Sequence, residues 1–137
     1  MQVTDLFDFY NVKLQFKIWI EMEDSLNNLK ARIDNFARER DWAQFHSPKN
    51  LAMAMIVEAA ELVEIFQWDT QPESQQLSID KQEAVAHELA DTFVYLLRIA
   101  QVLNIDLIEV THKKIDLNAL KYPVEKAKGN NTKYTKY

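Results

Sequence analysis

Apolar positions dominate two long stretches of the chain. Residues 52–68, AMAMIVEAAELVEIFQW, are apolar or small at almost every position, the pattern of a helix buried around most of its circumference. Within it stand Glu58, Glu61 and Glu64. Three helical residues turn through about 300°, so successive glutamates sit about 60° apart and roughly 4.5 Å along the axis. Residues 84–103, AVAHELADTFVYLLRIAQVL, repeat the anomaly with Glu88 and Asp91, again three apart. Burying one ionised carboxylate costs several kcal/mol even after relaxation, and neighbours repel. Either these edges face water, or a cation sits on them.

Other elements follow from the same periodicity. Ser25 is placed to cap a helix over about 26–40, with Leu26, Leu29, Ile33, Phe36 and Ala37 as its apolar stripe. Asp41 to Ser47 reads as a connector, and Ser47-Pro48 as the start of the central helix, which runs to about Gln67. Asp69 to Ser78 reads as a polar surface loop. Asp80 with Glu83 makes a capping-box-like start for a helix to about Leu103, with Asn104 at its exit. Asp106 and Glu109 open a further helix to about Lys121, and Pro123 stops it. Residues 11–20 depart from this scheme, because apolar residues alternate with polar ones, a strand signal. A lone strand has no partner in a helical domain, so the first 24 residues read as an extension that serves an oligomer contact or an accessory role. The expected organisation is an N-terminal extension (1–24), an all-α, four-helix-type domain (25–123) and a basic tail (124–137).

Composition narrows the chemistry. With 137 residues the chain suits one domain of ordinary size. A single Gly and three Pro favour long helices. The absence of Cys removes disulfides and thiolate metal sites, and fits a reducing cytoplasm. A formal charge of −5 gives no general attraction to nucleic acid. No run has the length and apolarity of a membrane span, and no signal peptide is indicated. The C-terminal lysines Lys114, Lys121, Lys126 and Lys128 contrast with the acidic body. That asymmetry suits a metal–triphosphate substrate, with carboxylates for the metal and ammonium groups for the phosphates; a solubilising tail is the plainer reading. Two helices each presenting an E-x-x-[ED] pair offer hard oxygen ligands of the kind Mg²⁺ takes.

Read in order, E58-A-A-E61 and E88-L-A-D91, flanked by R40-D41-W42-x-Q44-F45-H46-x-P48-K49-N50-L51, F66-Q67-W68 and N118-x-x-K121-Y122-P123, resemble the signature of the MazG-like all-α nucleoside triphosphate pyrophosphohydrolases. The flanking words look like the dCTP pyrophosphatase branch. The similarity spans about residues 26–134. It implies a helical bundle that assembles as a homodimer or homotetramer. It implies a Mg²⁺ site, with Mn²⁺ as a substitute, on Glu58, Glu61, Glu88 and Asp91, although Glu64 continues the spacing and leaves the register open by one step. It implies attack of water at the α-phosphorus of a deoxynucleoside triphosphate, dCTP foremost with dATP as a further substrate, in nucleotide-pool cleaning. Glu61 is the expected base toward that water, with Glu58 beside it. Trp42, His46, Trp68, Tyr95 and Asn118 fall in family-like words and would form the base pocket, while Lys114, Lys121 and Lys126 would hold the phosphates. Taken singly, each aromatic is more often core and each lysine more often a solvated surface residue.

Two other classes compete. A non-enzymatic helical interaction module would carry the same acids as a surface stripe. A di-iron carboxylate bundle would need two E-x-x-H motifs; Glu109 and His112 supply one, and His87 has no Glu three positions before it.

Overall fold

The computed structural model describes residues 25–136, and every described regular element is helical. The alternating residues 11–20 lie outside the described segment. Helix α1 occupies 25–39, so residue 25 is itself helical rather than a flanking cap. A 3-10 turn follows at Trp42–Phe45, entered through Asp41 in the left-handed region (φ 53°). Helix α2, Pro48–Phe66, begins where expected: the Ser47 hydroxyl accepts from the Asn50 N–H, and Pro48 occupies a position whose N–H would be orphaned anyway.

The 69–78 segment is more ordered than a surface loop. A one-turn helix α3, Gln71–Ser74, is closed by a reciprocal capping box between Thr70 and Glu73. The start of helix α4, Ile79–Val102, also needs correction. Its cap is Ser78, whose hydroxyl accepts from the Lys81 N–H, and Asp80 lies inside the first turn. A carboxylate in that turn still favours the positive end of the helix dipole. Asn104 leaves α4 in the left-handed region (φ 54°), a conformation its short amide tolerates. Helix α5, Leu107–Lys121, is capped by Asp106 as the pattern predicts. The tail is not wholly irregular: helix α6, Val124–Ala127, and a 3-10 turn at Tyr134–Lys136 fold back, so that Tyr134 meets Tyr122 edge-on and lies under the Lys121 ammonium.

Helices α2 and α4 form the main packed pair. Their ends show that they run antiparallel. Asp69, just past the end of α2, pairs with Lys81 in the first turn of α4. At the other end His46, just before α2, bonds Arg98 in the last third of α4. The inward stripe of α2 is Leu51, Met55, Glu58, Leu62 and Ile65, a spacing of four and three that keeps one face. On α4 the corresponding stripe is Lys81, Val85, Glu88, Thr92, Tyr95 and Ile99. One carboxylate thus occupies a core position on each helix.

The tightest part of the core lies at the α1 end, where Ala37, Leu51, Leu97 and Ala100 are buried. Arg98 is buried with them. Its guanidinium donates to Asp34 of α1 at 2.7 Å and to Nδ1 of His46 at 3.1 Å, and Gln101 adds a bond to the Lys30 carbonyl. These bonds pin α1 across α4. Replacing Asp34 by Ala would leave a buried cation with one neutral acceptor. Because Asp34 is itself half exposed, we expect a loss of about 2 kcal/mol, less than breaking a fully buried pair would cost, read as a lower urea midpoint at unchanged slope.

Candidate active site

The acids converge where the two stripes cross. Glu58 of α2 and Glu88 and Asp91 of α4 each offer a carboxylate oxygen, and these oxygens all lie within 4.8 Å of one another. Glu58 and Glu88 are partly buried, while Asp91 stands at the exposed rim. Glu61 is exposed and lies outside this tight trio, yet close enough to act electrostatically on Glu58. Glu64 is exposed and also outside the trio.

The electrostatics are those of a site lacking countercharge. The Glu58 carboxyl is pushed above its ordinary pKa, first by loss of solvent and then by the charges of Glu61, Asp91 and Glu88. Oε2 of Glu88 is enclosed and makes no hydrogen bond, nor does the enclosed hydroxyl of Thr92 one turn further along α4. Buried polar atoms are normally paired, and an orphaned carboxylate oxygen among three other acids fits a hard, oxygen-seeking cation. The donor set is entirely carboxylate, which suits Mg²⁺ or Mn²⁺ and gives no soft ligand for zinc or copper. Tyr95, four residues beyond Asp91, has its hydroxyl pKa raised by burial and by Glu58 and Asp91, which places the ring at the edge of the acids.

The other candidates are spread along the bundle. Trp68 lies just past the far end of α2 and is 88% exposed. Trp42 lies on the 3-10 turn before α2, edge-on to Phe36 of α1. His46 follows, its Nδ1 accepting from Arg98; burial and the guanidinium lower its pKa. The 19 residues of α2 separate the Trp42–His46 end from Trp68, a distance of about 28 Å. One nucleotide cannot touch both ends within one chain. Asn118 and Lys114 are exposed on α5, a helix with no buried residue, and Lys121 and Lys126 lie at its end and on α6. Within the chain, then, the acids and Tyr95 are brought together, while Trp42 and His46 lie at the opposite end of α2 from Trp68. Missing from the sequence reading were Arg98 and the Asp69–Lys81 pair. A single arginine inside F-V-Y-L-L-R98-I-A was the available signal for the first.

The MazG-like family model matches residues 53–136, which include all four acids. The chain belongs to the MazG-like family. This MazG-like chain is also 39% identical to dCTP pyrophosphatase 1 of Mus musculus and 38% identical to that of Homo sapiens. Each match runs over 115 residues, 82% of this chain and 68% of the relative. A crystal structure of a pyrophosphatase from Archaeoglobus fulgidus superposes with a TM-score of 0.66 at 38% identity, covering 75% of this chain and 93% of that one. The MazG-like chain is accordingly a nucleoside triphosphate pyrophosphohydrolase, with the all-α fold of that family.

The raised pKa of Glu58 has a stability consequence. An acid whose folded pKa exceeds its unfolded value binds more protons when folded, so it weakens the fold as pH rises through the folded value. In divalent-free buffer, melting temperature should fall as pH is raised through and just above the ordinary carboxylate range. Glu58→Gln should flatten that fall and melt higher than wild type at neutral pH. An unchanged profile would show that the cluster is not strained.

Proposed function

We propose that the enzyme hydrolyses dCTP, with dATP as a secondary substrate, to the nucleoside monophosphate and pyrophosphate in a Mg²⁺-dependent reaction, with Mn²⁺ able to substitute. The observation that carries this reading is the meeting of Glu58, Glu88 and Asp91 within 4.8 Å at the crossing of two apolar helices. Two relatives named dCTP pyrophosphatase 1 support the choice of base. Mg²⁺, when bound, neutralises phosphate oxygens and acidifies water. Glu58, Glu88 and Asp91 would hold that ion. Glu61, exposed beside them, is free to orient the attacking water and take its proton. The water oxygen bonds to the α-phosphorus, the bond from that phosphorus to the α–β bridging oxygen breaks, and pyrophosphate leaves. Most of the rate enhancement in this scheme is positioning and charge stabilisation. Lys114, Lys121 and Lys126 serve the outer phosphates as mobile point charges. The catalytic unit spans 25–123 with 124–137 as its basic tail, the nucleotide is the sole polyphosphate partner, and the enzyme works in nucleotide-pool cleaning in the cytoplasm.

The same proposal requires self-association. The outward face of α2 is a second apolar stripe, Met53, Ile56, Val57, Ala60 and Val63, with Ile56 and Val63 more than half exposed. Along α4, Leu89, Phe93 and Leu96 continue the exposed apolar surface. Contiguous faces of this kind mark contacts between proteins. A second copy would cover them, and it could also bring Trp42, Asn118 and the α5 lysines to the acids. No helix among the described residues is long and apolar enough to cross a membrane.

Incubation with each dNTP and Mg²⁺ should yield monophosphate and pyrophosphate, fastest with dCTP. Glu61→Gln should lower kcat at least about 100-fold, the usual scale for losing a general base. Absence of turnover with every dNTP, together with a wild-type-like Glu61→Gln, would favour the non-enzymatic module instead. Light scattering should give a dimer or tetramer at micromolar concentration, and Ile56→Lys with Val63→Lys should shift it toward monomer. A monomeric wild type would end the assembly reading.

A further inference from the structure

The connector between α2 and α4 is tied at its base. Both carboxylate oxygens of Asp69 lie 2.6 Å from the Lys81 ammonium, and both side chains are largely shielded from solvent. The pair joins residues 12 apart, at the two ends of the connector. Lys81 also stands 5.6 Å from the centroid of the Phe66 ring, at the last turn of α2. The Asp69 N–H donates to the Phe66 carbonyl, so the backbone from 66 to 69 forms a tight turn. Trp68 lies inside that turn. Its ring projects into solvent while the residues on either side of it are held.

An exposed tryptophan on a loose loop would bind a flat ligand poorly, because its ordering would oppose binding. Here the backbone order is already in place. Trp68 follows Glu61 by two helical turns, about 10 Å along the axis. The ring therefore stands beyond the acids, at the end of α2 where a nucleoside would project once its phosphates sit on the carboxylates. We propose that the Asp69–Lys81 ion pair is a positioning device for Trp68, pre-setting that ring as the stacking surface for the nucleobase. The inference rests on the proposed reading of Trp68 as part of the base pocket. Asp69 and Lys81 touch neither phosphate nor metal in this scheme; they act through the indole. The plain alternative is that the pair only closes the α2–α4 hairpin.

Steady-state kinetics with dCTP and Mg²⁺ on the full chain separate these. The variants are Asp69→Asn, Lys81→Met, Lys81→Arg, Trp68→Ala, and Trp68→Ala combined with Asp69→Asn, each assayed below its own melting temperature. Asp69→Asn and Lys81→Met should raise KM about tenfold, equivalent to about 1.4 kcal/mol, with kcat within about twofold. Lys81→Arg, which keeps a bidentate partner for the carboxylate, should restore the wild-type KM. Trp68→Ala should raise KM by itself, and adding Asp69→Asn to it should raise KM no further, since residues acting as one unit are non-additive. If Trp68→Ala leaves KM unchanged, the base-pocket reading of Trp68 fails, and the clamp inference with it. If Trp68→Ala raises KM but Asp69→Asn does not, the clamp alone is overturned. It is likewise overturned if the two effects multiply, or if both clamp variants fail to fold.

Discussion

Like charge held between two apolar helices is the constraint from which the rest of this molecule follows. Glu58 and Glu88 sit in the inward stripes of α2 and α4, where leucine or valine would pack more stably. Loss of solvent, and then the charges of Glu61, Asp91 and Glu88, push the Glu58 carboxyl above its ordinary pKa, and Oε2 of Glu88 is left without a hydrogen bond. Such an arrangement persists only if the surrounding structure holds the helices in register against it. The two ends of the helix pair do so: Asp69 and Lys81 fasten one end, while His46, Arg98 and Asp34 fasten the other. The acids lie between two electrostatic ties, each with its charges matched.

This division explains why the best-packed side chains lie away from the acids. Leu51 and Leu97 are nearly inaccessible, and each lies two turns from an acid on its own helix, Leu51 before Glu58 and Leu97 after Glu88 and Asp91. The α1 end therefore supplies rigidity, and the middle of the pair can carry groups that weaken packing but attract metal and phosphate. Strain at a working site is normally balanced by stability elsewhere in the fold. The exposed outer stripe of α2 extends the same logic. A helix with apolar residues on both sides cannot be satisfied by one neighbour, which is the physical basis of the proposed self-association.

How far the sequence revealed this depended on whether the signal was local. The caps at Ser47 and Asp106 are contained within a few residues, and both helices start where their patterns say. Helix α3 was also locally encoded, as T70-Q-P-E73, but a polar four-residue stretch has no periodicity to set it apart from a loop. Ser78 and Asp80 can each accept from an N–H two or three residues on, and only the backbone dihedrals place the cap at Ser78. The glutamate ladder shows the opposite limit. Spacing alone placed Glu58, Glu61 and Glu64 on one side of α2, and which of them reaches α4 is set by the rotation of one helix against the other. That is a tertiary quantity, and it selects Glu58.

The base pocket marks where reading by motif and reading by geometry part. Trp42, His46 and Trp68 occur in words that travel together along the sequence, which invites placing them around one ligand. A helix of 19 residues stands between them. His46 also has its Nδ1 engaged by Arg98, so only Nε2 remains to face another group. Motifs that recur as a set need be neighbours only in the functional assembly, and under the proposed self-association that assembly extends beyond one chain. The acids meet within the chain because α2 and α4 are joined by a short, clamped connector. The Trp42–His46 end of α2 and the residues of α5 have no such tie to the acids, and under the proposed self-association their contribution to the site depends on how another copy docks against the outer stripe.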